Sequence, residues 1–469
     1  MIPLPRPPAS KRAASNRGQA LVLGLFFVFA VAAVLLLMYN TGRTADEKLR
    51  ITNAADAAAW SVATLEARAL NYDAYANRAI VANQVAIAQA VSLISWMHYF
   101  ETAVEYAPAL DTVASSWLFN PAEYPRLLLL LAGVHGTQFL DLGSGGSLRA
   151  IVEGLDKTLG AIVTAHDAAS SALSTSQQLM HASLVTGAGQ AAFANDLVDR
   201  IDPDMRASIN PLSHDFPAFT RGLAKDDAQG DARGRLADVV LRSRDAFTRS
   251  RVWSIRGPDL PPLQRKVELK RRGGTELLGF DEWRALDTLE HQGKRLKRWR
   301  WRWRRAPLAW GGASATSDGS PGAERGEHGG SYARNPITSL YLAEPSIVRI
   351  GQFGGLPETR ELHDLSANAD HTAGVTVHVA KPRRTLRTSG GTGSIQPQGR
   401  LRRFEASSPG DLVAAMGRGE VFFERPGPRS DGRAERPSLY SPYWQARLVA
   451  STPADRAWAA TLQDGVVLP

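Results

Sequence analysis

The sequence predicts an α+β protein: a single N-terminal transmembrane helix, a long alanine-rich helical hairpin or bundle, and then a mostly antiparallel β region. Three observations predict it. Residues 20–39 are twenty in a row without a charge. Residues 43–107 contain neither glycine nor proline. From about Asp245 the apolar residues stop recurring at three and four and begin to alternate.

The uncharged run comes first because it constrains everything after it. Twenty helical residues rise about 30 Å, the thickness of a bilayer's hydrocarbon core. Arg6, Lys11, Arg12 and Arg17 precede the run with no acidic residue among them. A short basic flank of this kind stays in the cytoplasm while a long following domain is exported. The expectation is therefore a membrane protein with one span, its N-terminus cytoplasmic and its main body periplasmic or otherwise extracytoplasmic. The apolar run is longer than the core of a cleavable signal, and Met38-Tyr39-Asn40-Thr41 is a poor cleavage site.

Residues 1–19 form the cytoplasmic basic arm in this reading, with four prolines before Asn16, and residues 20–39 the span. Residues 43–203 form the extracytoplasmic helical region. One helical face runs through Ile51, Ala55, Ala58, Val62, Leu65, Ala69, Tyr72, Ala76 and Ala79. The helix is either one rod or broken near Asn71-Tyr72-Asp73, since Asn and Asp favour caps. The five leucines 127–131 are too few to cross a bilayer and read as core or as a patch facing one monolayer. A second helical stripe starts near Ser147 and passes through Ile151, Leu155, Leu159, Ile162, His166 and Leu173. The two regions are expected to pack as an antiparallel hairpin or bundle, with His166 a satisfied core residue.

Residues 245–305 read as a basic β region, with short alternating runs at 252–255, 267–270, 276–279, 283–289 and 295–303, and Gly273-Gly274 as a turn. Residues 306–335, rich in Gly, Ser and Ala, read as a flexible linker. Residues 336–469 form a C-terminal β-rich region, with runs at 375–379, 401–404, 421–425 and 447–450.

The formal charge is +9. Residues 265–305 hold fourteen Lys and Arg against six Asp and Glu, so one stretch carries nearly all the excess. The remainder is close to neutral, which argues against nucleic acid as a partner. With no cysteine, disulfides, thiolate metal sites and cysteine nucleophiles are excluded. No phosphate-binding Gly-x-x-x-x-Gly-Lys loop, Gly-x-Ser-x-Gly elbow or His-Glu-x-x-His helix occurs. Glu361, His363, Asp364, Asp370 and His371 crowd into eleven residues, but their spacing fits no established metal site and reads as a solvated loop. No catalytic residue, metal or cofactor is expected, and the protein is not expected to be an enzyme.

Two stretches stand out as candidate sites. Arg298 to Arg305 reads Arg-Trp-Arg-Trp-Arg-Trp-Arg-Arg. In one strand, Trp299, Trp301 and Trp303 would share a face and Arg298, Arg300, Arg302 and Arg304 the other, which suits contact with an anionic lipid or polymer surface. The alternative is that the tryptophans lie against the sheet core beneath a solvated arginine face. The second stretch is Arg17-Gly18-Gln19, then the apolar helix, then Asn53-Ala54-Ala55-Asp56-Ala57. This order resembles the N-terminal segment of TadG-like (TadE/TadG-related) proteins of the Tad, or Flp, pilus assembly system. The resemblance implies an inner-membrane anchor whose extracytoplasmic body helps assemble or anchor an adhesive surface pilus, with other pilus-assembly membrane proteins and the bilayer as partners. Leu23 stands where TadE-type pseudopilins have a glutamate, and Asp141-Leu142-Gly143-Ser144 does not fit the Asp-x-Ser-x-Ser metal motif of larger TadG-like proteins. A cell-envelope binding module and a membrane-anchored hydrolase are the alternative functions.

Overall fold

The computed structural model describes residues 17–115, 123–143, 147–185, 188–223, 231–257, 259, 264–316, 335, 337–342, 346–364, 371–388, 401 and 412–463. In chain order the helices are α1 (Arg17–Glu105), α2 (Ala107–Ser115), α3 (Tyr124–Gly143), α4 (Ser147–Val185), α5 (Ala188–Ile201), α6 (Phe216–Phe219), α7 (Asp231–Ser243), α8 (Ala246–Arg249) and α9 (Pro453–Gln463). The strands are β1 (Arg206–His214), β2 (Thr220–Leu223), β3 (Trp253–Arg256), β4 (Gln264–Leu278), β5 (Glu282–Lys297), β6 (Arg300–Thr316), β7 (Val348–Arg349), β8 (Thr359–Leu362), β9 (Ala373–Pro382), β10 (Leu412–Phe423) and β11 (Trp444–Val449). The α+β expectation holds, and all the pairings are antiparallel except the short β6–β7 ladder.

α1 is unbroken for 89 residues, about 130 Å at the helical rise. The capping side chains near residue 71 do not break it because tertiary partners engage them. Asn71 exchanges two hydrogen bonds with the Trp444 backbone, at 2.9 and 3.0 Å. Asp73 Oδ2 lies 2.6 Å from His181 Nε2 on α4. A polar side chain satisfied across an interface no longer competes for its own helix's backbone. α4 runs antiparallel to α1, as its links show: Gln177 to Asn77, His166 to Asn83 and Asp156 to His98. His166 is the bonded residue expected of it.

Two sheets take successive lengths of α1. The first, ordered β1-β9-β10-β11, covers residues 51–70, where Ile51, Ala55, Ala58, Val62 and Leu70 pack on Val375, Val377, Val413, Val421 and Trp444. β9 is buried along almost its whole length because α1 lies on one side and α9 on the other, with Trp458 edge-on to His378. The second, ordered β3-β4-β5-β6-β7, covers residues 87–107. Its central contact is Asp287, fully buried, which accepts from Arg251, Arg271 and Ser95 of α1 at 2.8, 3.0 and 2.8 Å. β2 and β8 form a separate two-stranded ladder.

Several sequence expectations change. Gly273-Gly274 is no turn and lies inside β4 opposite Asp287. A side chain at Gly273 would collide with the Asp287 carboxylate, so glycine here makes room for the buried ion pair. The β4–β5 turn instead uses Gly279, at φ 60°. Residues 306–316 of the expected linker belong to β6. The regions 245–305 and 336–469 share a sheet, since β6 pairs with β7, and β1, in the stretch 204–244 assigned to no region, pairs with β9 of the C-terminal one. Residues 1–16, 317–334 and 389–400 lie outside the described residues, as does the run 401–404 beyond Leu401. Of the five leucines, Leu127 is buried under α2 and β3 while Leu128 and Leu129 are exposed.

Two outcomes are expected. A Cβ at Gly417 would meet the Ala55 carbonyl oxygen at 2.6 Å, and one at Gly419 would meet the Ala63 side chain at 2.9 Å. Gly417→Ala and Gly419→Ala should each cost about 1–3 kcal/mol through overpacking, read as a lowered melting temperature in detergent. Gly427→Ala, in open space, should not. The second concerns His98, which bridges Glu101 and Asp156 at 3.2 and 3.0 Å. Burial lowers its pKa, but the Asp156 hydrogen bond and the two carboxylate charges outweigh that and raise it above 6.5. The link is therefore fully present below pH 6.5 and is lost as pH rises through the shifted value. The melting-temperature gap between wild type and His98→Gln should narrow with rising pH; a constant gap would show that the charge contributes nothing.

Candidate functional site

Three regions carry the functional candidates: the apolar end of α1, the helix just beyond it, and the β5–β6 hairpin. The large side chains between Leu21 and Tyr39 are exposed except for the half-buried Leu37, and this stretch is long and apolar enough to cross a membrane. Burial begins one residue later, with Asn40, Thr44 and Glu47 enclosed by the body. Lys381 Nζ reaches Asp202 at 2.9 Å and Glu47 at 3.3 Å, and Arg50 reaches Asp202 at 3.4 Å. Burial would raise the Asp202 pKa, but the Lys381 hydrogen bond, the Asp204 amide and the two cations hold it below the usual carboxylate range. The body is thus locked to the helix immediately past the apolar run.

The residues of the family resemblance divide between two roles. Arg17, Gly18 and Gln19 form the first turn of α1. Ala54 and Ala55 are fully buried, and Ala55 faces the chain's own β10 across Gly417. Asp56 is half-buried beside it, and burial raises its pKa. Asn53 points to solvent with Leu49, 61% exposed, and Trp60, 48% exposed. Sequence reasoning missed these two; their signal was two large apolar residues outside the alanine stripe.

The Arg-Trp stretch is not one strand. β5 ends at Lys297 and β6 starts at Arg300, with Arg298 and Trp299 as a two-residue turn at φ 49° and 63°. Two successive positive φ values make the tight connection whose twist matches paired strands. Arg298 and Trp299 therefore leave the two faces, while Arg300, Arg302 and Arg304 still alternate with Trp301 and Trp303. The tryptophans do not reach a core either: Trp299 is 93% exposed, and Trp301 and Trp303 carry Arg265 and Lys294 over their rings at 4.9 and 5.2 Å.

The hairpin lies far from the apolar run. Trp283 bonds Gln84 and Asp287 bonds Ser95, so β5 runs along α1 away from the span. Ser95 is about 85 Å along the helix from Tyr39, and the ten residues from Asp287 to Lys297 extend about 30 Å further. A cleft of about 400 Å³ opens at its base, lined by Arg256, Asp259, Lys266, Glu268 and Trp303. Lys266 sits there at φ 54°, where the β4–β5 register shifts.

The acidic and histidine group does not assemble. Glu361 is buried in β8, where it faces Arg235 at 3.7 Å and accepts the Leu362 and Leu439 amides; burial raises its pKa against these partners. His363 and Asp364 are exposed, and Asp370 lies outside the described residues. The solvated-loop reading fails for Glu361 because the β2–β8 ladder turns it inward. Among the described residues, no three His, Asp or Glu side chains are placed to hold a metal ion.

Residues 18–65 match the family model described as putative Flp pilus-assembly TadE/G-like. The match covers the apolar run and the part of α1 under the first sheet, and it supports a pilus-related role and an envelope-associated protein. No curated protein and no solved structure matches the chain.

Residues other than glycine or asparagine in a positive-φ turn cost on the order of 1 kcal/mol each. Replacing Arg298-Trp299 by Asn-Gly should stabilise the hairpin by about 1 kcal/mol or more, read as slower amide exchange in residues 294–303. Unchanged exchange would mean the turn carries no strain.

Proposed function

We propose that this protein is an inner-membrane-anchored, extracytoplasmic component of a Tad/Flp-type pilus assembly or secretion machine, with a structural rather than catalytic role in surface adhesion. The observation that carries the reading is that the TadE/G-like match falls on one continuous helix whose start is exposed and apolar and whose remainder is the spine of the folded body. A force or displacement applied to the body would pass through this helix to the membrane without an intervening loop. The basic residues before the run favour a cytoplasmic N-terminus and an extracytoplasmic body. Its partners are other membrane proteins of the same machine, which could approach the face of α1 carrying Leu49, Asn53 and Trp60.

The distance between hairpin and span favours a second contact. An arginine and tryptophan arm on the order of 100 Å from the bilayer that holds α1 is unsuited to that bilayer's headgroups. It suits an envelope polymer or a machine component further out, so the cell-envelope binding reading becomes an attribute of one arm.

A reporter active only outside the cytoplasm, fused after Pro469, should be active, and carbonate washing should leave the protein in the membrane fraction. Deleting the gene should abolish surface fibres, and a version secreted without residues 20–39 should fail to restore them. Intact fibres in the deletion strain would overturn the pilus role.

A further inference from the structure

The loop that ends β9 carries three arginines that neither the pilus reading nor the hairpin absorbs. It lies against α1 just past the apolar run. Arg43 Nε donates to the Arg387 carbonyl at 3.0 Å, and Arg387 Nε lies 3.7 Å from Glu47. Arg43 is four residues beyond Tyr39, about 6 Å along the helix. The polar layer of a bilayer is about 5–7 Å deep on each face of the hydrocarbon core. If residues 20–39 span the core, the loop can only lie at headgroup depth.

The charges at this depth do not cancel. Lys381 and Arg50 balance Glu47 and Asp202 inside the body. Arg43, Lys48, Arg383, Arg384 and Arg387 are left against Asp46, which is 3.9 Å from Arg43. Lys48, Arg383 and Arg384 form no salt bridge among the described residues, and Lys48, Arg384 and Arg387 are exposed. Leu386 between the last two is buried in the core and holds the loop in place. Asp199 and Asp204 also face this end; Asp199 is 3.5 Å from Arg206.

We propose that Arg383, Arg384 and Arg387, with Arg43 and Lys48, form a binding surface for anionic phospholipid headgroups of the leaflet from which α1 emerges. It rests on the membrane-spanning reading of α1 and not on the pilus role. The surface sets the depth and tilt of the body, because three arginines on a fixed loop beside the helix resist rotation out of the headgroup plane.

The chain has no cysteine, so Thr388→Cys gives a single labelling position next to the loop. The full-length protein, labelled there with a donor fluorophore, is reconstituted into vesicles of mixed phosphatidylglycerol and phosphatidylcholine in which one lipid or the other carries the acceptor. Energy transfer to phosphatidylglycerol should exceed that to phosphatidylcholine, and the excess should vanish at high salt. Each arginine changed to glutamine should lower the preference about fivefold. A donor at Trp299→Cys should show no preference. Equal transfer to both lipids, or none to either, would overturn the proposal. Should the triple Arg→Gln variant not fold, the lipid comparison and salt series on otherwise wild-type protein decide it. Loss of fibres in the cell is a separate readout, so failure here leaves the pilus role standing.

Discussion

The close approach between the α1 backbone and the glycines of two strands sets the distance at which both sheets meet the helix. Gly417 and Gly419 of β10 lie on Ala55, Ala59 and Ala63, and Gly311 of β6 lies on the backbone of Ser95 and Tyr99. At each point a single methyl group would fill space the helix already occupies. The alanine content of α1 follows from the same constraint, since larger residues at 54, 55, 58 and 59 would hold the sheet away. A helix within a protein gains most of its stability from tertiary packing rather than propensity, and here the packing is shared by two sheets and α4.

Close packing fixes distance, and the buried polar links fix register. Asp287 with its two arginines and Ser95, Lys381 with Glu47 and Asp202, and the Asp73–His181 and Glu66–His214 pairs each join α1 to a different element. Burying these charges costs free energy that the pairing offsets only in good geometry. A slip of one turn along α1 would strand every one of them at once. The desolvation cost thereby penalises wrong alignments of a helix whose apolar face, being mostly alanine, discriminates poorly between registers.

The resulting molecule has two distinct ends joined by a rigid rod. One end begins at Asn40, where burial starts as soon as the apolar run stops, and presents the arginines of the β9 loop. The other presents the exposed β5–β6 hairpin with its strained turn. Strain kept in an exposed turn, where Asn-Gly would relieve it, points to a role for the arginine and tryptophan side chains themselves. Under the two proposals above, the separation gives the two basic surfaces different partners.

How far the sequence spoke depended on whether a feature was local. The uncharged run, the glycine-free helix, the antiparallel α1–α4 pairing and the family resemblance within the first 60 residues were legible, because each rests on composition or short-range periodicity along one segment. Glycine was where local reading misled. Gly273-Gly274 looks like a turn until Asp287 is seen to fill the space opposite, and Gly311 looks like the start of a linker until α1 is found against it. Arg295 to Trp303 alternates as a strand should, yet two residues at positive φ fold it into a hairpin, and no propensity of Arg or Trp announces that. Glu361 reads as solvated among its polar neighbours and is buried by a ladder formed with a segment 140 residues away. The sequence by itself determined the α+β class, the long helices and the candidate span. Only the tertiary structure decided which basic cluster lies beside the span and which lies at the far end, because that depends on which strands dock where along α1, a matter of contacts between residues distant in the chain.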